Sequence, residues 1–385
     1  MKKILFLIIL GQFLCTSLWF AGNAILPDLI LKLGVTDAFL AHSTSTIQLG
    51  FITGTLCFAI LSIADRYSPS LVFLISAFVG AFFNLGITLP YLTPTLVLTC
   101  RFLTGFFLAG IYPVGIKIAA DYYKEELGKS LGYLVGALVL GTAFPHLLKS
   151  FSFHFTWQYV VFITSFLACV GGFLVYAWVP DGPYRTKSTS FQVKAIFSAF
   201  QNKELSAAAV GYFGHMWELY AFWTFVPVMI HNYNSIHSTI INATSLLSFL
   251  VIASGSLACA ISGHLSHYIG TKKLSQIILF LSATCCVISP LFLQMDSSKW
   301  FLAFLFFWSF VVIADSPLFS TLIAQKAPPD IKGSVVTLVN CIGFFITIVS
   351  IQLLSYFLNS SNQNYLFTIL AIGPFIGLYF LKGKG

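Results

Sequence analysis

Gly214–Pro227 reads GHMWELYAFWTFVP. It sets a histidine and a glutamate three residues apart, so His215 and Glu218 share one face of a helix. The rest of the stretch is almost entirely apolar and aromatic. In water such a face is ordinary. At the centre of a bilayer each charge costs about 2.5–3.5 kcal/mol, and it needs a partner or a water-filled cavity. The solvent around this helix therefore decides the fold.

The chain has 385 residues, 58% hydrophobic and 8% charged. A soluble domain carries about 25% charged residues. The longest stretch of ordinary polarity is a short segment near 180–204. A spanning helix needs about 20 mostly apolar residues. Twelve segments qualify, at 4–26, 43–64, 71–89, 95–116, 130–148, 158–179, 205–230, 242–265, 274–293, 300–322, 334–357 and 365–381. Pro90, Pro94, the Pro180-Asp181-Gly182-Pro183 run and Pro328-Pro329 punctuate them. The segments are too long, and too apolar on every face, for barrel strands. The eight cysteines fall inside the apolar segments without metal-type spacing, and read as packing residues. The start, MKKILFLIILGQFLC, imitates a signal peptide. An uncleaved first helix is the preferred reading, because the apolar run continues past signal length and carries Trp19 and Asn23 one turn apart.

With the N-terminus in the cytoplasm, the inside segments hold Lys2, Lys3, Arg66, Lys117, Lys124, Lys129, Arg185, Lys187, Lys194, Lys203, Lys272, Lys273, Lys326, Lys332, Lys382 and Lys384. That is 16 of 20 basic residues. Lys32, Lys149 and Lys299 fall outside, and Arg101 lies within a helix. This bias predicts both termini inside, in a cell inner membrane or plasma membrane. It also accounts for the net charge of +8 without a nucleic-acid partner.

Two halves match at an offset near 204. Ala109-Gly110-Ile111-Tyr112-Pro113 pairs with Ile313-Ala314-Asp315-Ser316-Pro317, Ala120 with Ala324, and Ser130 with Ser334. The expected fold is all-α and integral to the membrane, with twelve helices in two pseudo-symmetric six-helix bundles. Residues 1–180 form the first bundle, 181–204 a cytoplasmic linker and 205–385 the second bundle. Such duplications place a substrate site near the midplane between the halves.

Three ionisable groups lie well inside predicted helices: Arg101, Glu218 and Asp315. Glu218 reads as a proton-coupling carboxylate or as an acid permanently paired between helices. His215 could relay the proton, touch substrate, or bond a neighbouring helix. Asp315 precedes Ser316-Pro317, where a helix break would expose carbonyls; it could couple, contact a cation or pair with a base. Arg101 attracts an anion or forms a structural bridge. Trp19, Asn23, Tyr112, Trp217, Tyr220 and Trp308 are candidate pocket residues. His146 and Lys149 read as interfacial.

The loop after the second helix, LSIADRYSPS (Leu61–Ser70), matches the Asp-Arg core of the major facilitator superfamily signature through Asp65 and Arg66. Leu61, Ser68, Pro69 and Ser70 depart from its glycines and basic residues. The second copy, GHLSHYIGTKK, keeps Gly263, Gly270 and Lys272 but has His267 in place of the acid. Arg101 and Gly105 fit the family's Arg-then-Gly pattern in the fourth helix. On these motifs the chain resembles that superfamily over its full length. SLWFAGNAILP, RFLTGFFLAGIYPVGIKIA and GHMWELYAFW are more loosely similar to cyanate- and nitrate-porter-like members. The resemblance implies that the first, fourth, seventh and tenth helices line a cavity, and that Asp65, Arg66, Gly263, His267, Gly270 and Lys272 form gating loops with an altered charge network. The fifth-helix antiporter signature is absent; Gly128, Gly132 and Gly136 offer a small-residue face instead.

No GxxxxGK[ST], HExxH or paired metal-ligand motif occurs. The expectation is a secondary transporter, not an enzyme, with no cofactor and no metal. It would act as a monomer in a lipid bilayer, taking up a small anion with protons. The alternative is efflux of a hydrophobic or cationic compound. An intramembrane enzyme or a sensor is more remote.

Overall fold

A computed structural model describes residues 2–123, 127–151, 156–185, 198–237, 241–358 and 363–382. Lys124, Lys187, Lys194 and Lys384, and the stretch 186–197 of the expected linker, lie outside the described residues. The chain divides into two compact units, Met1–Val193 and Lys194–Gly385.

The first unit runs α1 (Lys2–Thr16), α2 (Ala21–Ala24), α3 (Leu26–Leu33), α4 (Phe39–Ile60), α5 (Ile63–Arg66), α6 (Pro69–Leu85), α7 (Pro94–Leu108), α8 (Tyr112–Tyr122), α9 (Leu127–Ser150) and α10 (Gln158–Trp178). The second runs α11 (Lys203–His237), α12 (Thr244–Ile269), α13 (Thr271–Leu293), α14 (Ser298–Ala314), α15 (Ser316–Lys326), α16 (Lys332–Phe357) and α17 (Ile372–Leu381). Short 3₁₀ turns precede α16 and α17. Among the described residues, ten helices are long and apolar enough to cross a membrane, counting α7–α8 and α14–α15 as one each. The two remaining expected spans differ for separate reasons. The first is interrupted, leaving α1 only 15 residues long. The seventh, α11, is 35 residues long, but its polar and aromatic residues dilute its apolar character.

The interruptions have local causes. Proline lacks an N–H and clashes with the carbonyl four residues back, so it sits in the first turn of a new helix. Pro113 opens α8 and Pro317 opens α15 in this way. Pro27 likewise opens α3. The continuous first helix expected over 4–26 is already interrupted after Thr16. At the joint between α14 and α15, the carbonyl that Pro317 leaves free is that of Ile313, and the Cys259 thiol donates to it at 3.8 Å.

Glycines let backbones meet inside each unit. A side-chain carbon on Gly105 would strike the Ile47 carbonyl, and one on Gly50 would strike the Phe102 carbonyl. These contacts lock α4 to α7 and explain why Gly105 follows Arg101 by one turn. In the second unit Gly214 and Gly373 meet backbone to backbone, joining α11 to α17. In the first, Gly11 and Gly171 make the same kind of contact between α1 and α10. The two contacts lie 203 and 202 residues apart in sequence, near the offset of the repeat. Gly105→Leu is expected to cost at least the 1–3 kcal/mol typical of overpacking, because a backbone carbonyl cannot move aside. Gly80→Ala, whose new carbon would sit 3.5 Å from Leu18, is expected to be neutral. Thermal unfolding of the two purified variants compares them.

At one end of the first unit, residues 179–185 are tied down. Ser70 donates to the Val179 carbonyl at 2.6 Å, Tyr122 to the Pro180 carbonyl at 2.6 Å, and Ser68 to Asp181 at 2.7 Å. Gly182 rests on the Asp121 backbone. Arg185 pairs with Asp181 and donates to the Tyr67 and Asp65 carbonyls at 2.8 and 3.2 Å. Asp65 itself pairs with Lys117 at 2.7 Å. Arg185 and Lys117 thus supply basic groups where the degraded signature has Pro69 and Ser70, while Arg66 is exposed. In the second unit His267 and Lys272 are exposed. Gly270 ends α12 at φ 88°, a conformation that glycine alone adopts freely. Lys326 instead pairs with Glu204. The hydrogen bond from Lys326 holds the Glu204 carboxyl below its ordinary range. That contribution is present at neutral pH and disappears on acidification.

Candidate functional site

Two buried polar clusters stand out, one in each unit. In the first unit the helix is interrupted between Thr16 and Ala21. Arg101, fully buried on α7, reaches this interruption. Its guanidinium donates to the Leu18 carbonyl at 3.1 Å and to the Trp19 carbonyl. Gly22 makes the room: a carbon added there would lie 3.0 Å from Arg101 Nε. Within this unit the paired carboxylates have other partners: Asp28 takes Lys149 at 2.6 Å, Asp65 takes Lys117, and Asp181 takes Arg185. The positive charge of Arg101 thus meets carbonyl dipoles there but no carboxylate among the described residues. A guanidinium keeps its charge in such a place.

Other groups gather around the same interruption. Trp19 is buried and packs on Phe51 at 4.8 Å. Asn23 donates to Thr44 Oγ1 at 2.7 Å. Its own oxygen makes no hydrogen bond within the described protein, and neither do Arg101 Nε, Ser43 Oγ, the Gln12 amide or His146 Nε2. His146 was expected at the interface. It is 3% exposed and stands edge-on to Phe20 at 6.4 Å, because α9 turns this face inward toward the interruption. Lys149, one turn on, does reach a partner at the surface, in Asp28. Tyr112 begins α8 and is half-buried.

The second unit carries the acids. His215 and Glu218 do face the same side of α11, yet they meet different partners. Glu218, 1% exposed, accepts from Ser282 Oγ at 2.7 Å and from Trp308 Nε1 at 2.6 Å. It thereby joins α11 to α13 and α14. Phe222 packs on Trp308 at 4.8 Å and covers this contact. His215 Nδ1 lies 2.8 Å from Asp315 Oδ1, both side chains being 1% exposed. Asp315 occupies the single-residue joint between α14 and α15, as the Ser316-Pro317 pair predicts. His215 Nε2 and both carboxylate oxygens of Asp315 make no hydrogen bond within the described protein. Tyr220 meets Trp223 edge-on at 5.2 Å and Phe344 at a tilt at 5.1 Å. Trp217 points to a different neighbour, donating to the Ile369 carbonyl at 3.2 Å and packing on Gly373.

The structure therefore groups Arg101, Trp19 and Asn23 in one unit, and Glu218 with Trp308 and His215 with Asp315 in the other. Ser282, Gln12, Ser43 and His146 were not identified as site residues from sequence. A lone serine or glutamine in an apolar helix carries little signal, since such residues also bond their own helix. Among the described residues, no group of three metal-ligating side chains could hold an ion.

Helices of this length and apolarity define an integral, multi-pass membrane protein. The chain matches the Major Facilitator Superfamily over residues 8–351 and belongs to that family of membrane transporters. No curated protein matches it. Among solved structures it is similar to the human organic anion transporter MFSD10 (TETRAN), at 15% identity over 99% of each chain, with a TM-score of 0.74. At that identity the likeness establishes the fold.

Proposed function

We propose that this chain takes up a small anion together with protons, by alternating access across a cell inner membrane or plasma membrane. Twelve spans carry it, with α1–α3 as the first and α11 as the seventh, in two six-helix bundles. Both termini are cytoplasmic, and the monomer is the working unit. The observation that carries the reading is Arg101, a fully buried cation with carbonyl partners and no carboxylate in its own unit. A substrate anion supplies the missing counter-charge. The similar solved structure is titled as an organic anion transporter, which agrees with this class by fold-level analogy alone. The proton is carried in the second unit, where Glu218 and Asp315 are the buried acids.

A second reading, efflux of a lipophilic cation, draws support from a buried acid, Glu218, whose partner Trp308 packs on Phe222. Uptake into proteoliposomes separates the two. The probes are radiolabelled nitrate, acetate and benzoate on one side and tetraphenylphosphonium on the other, each with a pH gradient in either direction. Anion accumulation driven by external acid is the expected result. Movement of tetraphenylphosphonium alone would replace uptake by efflux.

A further inference from the structure

Sequence left Glu218 as a coupling carboxylate or an acid paired between helices, and His215 as a possible relay. The geometry points to the second reading of Glu218. We propose that His215 and Asp315 form the proton-carrying pair, with His215 Nε2 as the atom that gains and loses the proton, and that Glu218 is a brace between helices. This rests on the reading of the chain as a proton-coupled transporter.

Three observations lead to it. First, the partners of Glu218, namely Ser282, Trp308 and Cys286, are all donors. Ser282 and Trp308 converge on one of its oxygens, from α13 and α14, and hold an acceptor in place. A carboxylate or an amide oxygen fills that role equally, so nothing in the contact requires a proton to move. Second, the His215–Asp315 contact is asymmetric. Asp315 Oδ1 lies within ion-pair distance of Nδ1, at 2.8 Å, and leaves Nε2 on the other side of the ring free to bind a proton. Nε2 has no hydrogen-bond partner in the described protein, although the side chain is 1% exposed. Third, Asp315 stands at the joint of the tenth span, where the chain changes from α14 to α15. A change of charge there acts on the element best placed to bend.

The step balances simply. A proton from water adds to the Nε2 lone pair and makes an N–H bond, giving an imidazolium beside a carboxylate, a net-neutral pair. Release breaks that N–H bond and returns the proton to water, leaving a neutral imidazole and a carboxylate with net charge −1. One proton and one unit of charge move per event. The groups around the pair are few. On α11 they are Tyr212, whose ring lies 6.0 Å from His215, and Glu218 one turn away. From α12 comes Cys259, bonded to the Ile313 carbonyl. From α13 come Ser282 and Cys286, both at Glu218. From α14 comes Trp308, and from α15 Phe319, 6.2 Å from the His215 ring. α16 presents Gly343 to Tyr212, and α17 packs through Gly373 and Gly377. No lysine or arginine of the described second unit forms an ion pair with Asp315, so His215 is its cationic partner there.

The test is nitrogen NMR on the full-length protein in lipid nanodiscs, with isotope-labelled histidine. Spectra are recorded from mildly acidic to mildly alkaline buffer on wild type, His215→Gln, Asp315→Asn and Glu218→Gln. The expected result is a histidine signal that changes protonation at Nε2 across the series. It is missing in His215→Gln, loses its titration in Asp315→Asn, and persists in Glu218→Gln. A His215 signal that never titrates overturns the proposal, as does titration that survives in Asp315→Asn or vanishes in Glu218→Gln. Asparagine and glutamine preserve the shape of the sites, and the unchanged histidine signals report whether each variant is folded. Because no substrate is present, the outcome is independent of whether the anion reading holds.

Discussion

Arg101→Ala is expected to abolish anion transport and to lower thermal stability. On the proposed function the variant deletes the cation that draws the substrate, and it also strips the Leu18 and Trp19 carbonyls of their donors at a buried helix interruption. Hydrogen bonds to charged groups contribute about 1.5–3 kcal/mol, and relief of a buried charge offsets part of the loss. A net destabilisation of about 1–3 kcal/mol is therefore expected. Arg101→Lys separates the two roles. An ammonium restores the charge but cannot span two carbonyls with a planar fork. Its transport efficiency should fall about 10- to 100-fold, the equivalent of one such hydrogen bond. Uptake kinetics and thermal unfolding of the three proteins measure both effects. Full transport in Arg101→Ala would make the arginine purely a clamp on the first helix.

Glu218→Ala should unfold far more readily than Glu218→Gln. Alanine leaves the Trp308 indole N–H and the Ser282 hydroxyl without an acceptor, in a site that is 1% exposed. Two unmet donors and a cavity together cost about 3–5 kcal/mol. Glutamine offers an oxygen in the same place and should fall within about 1 kcal/mol of wild type. Apparent unfolding temperature in a fixed detergent reads the difference. Equal stability of the alanine and glutamine variants would mean that Glu218 braces nothing.

What was legible in the sequence followed from local chemistry. Apolar length gave the helices, and Pro113 and Pro317 gave the joints four residues after Ala109 and Ile313. The joint at Asp315 was readable because its cause, Ser316-Pro317, is adjacent. The interruption after Thr16 was not. No proline occurs there before Pro27, and the stretch from Ser17 to Phe20 is apolar after its first residue. Its carbonyls are met by Arg101, 83 and 82 residues away, a partner no local pattern announces. The same limit hid the division between His215 and Glu218. Helical spacing correctly placed them on one face, but which neighbour each meets depends on α13, α14 and the joint before α15. His146 was misread for a related reason. A histidine near a helix end looks interfacial, and only the packing of α9 against Phe20 turns it inward.

The central claim is that a buried, carboxylate-free arginine marks an anion site. A thermal-stability screen of the purified protein tests it most directly. Nitrate, cyanate and simple carboxylates are compared with tetraphenylphosphonium, on wild type and Arg101→Ala. A ligand at a hundred times its dissociation constant stabilises the folded state by about 2.7 kcal/mol, well within reach of the method. At least one anion is expected to stabilise the wild type and not Arg101→Ala. Stabilisation by tetraphenylphosphonium alone, or by an anion equally in both proteins, would contradict it.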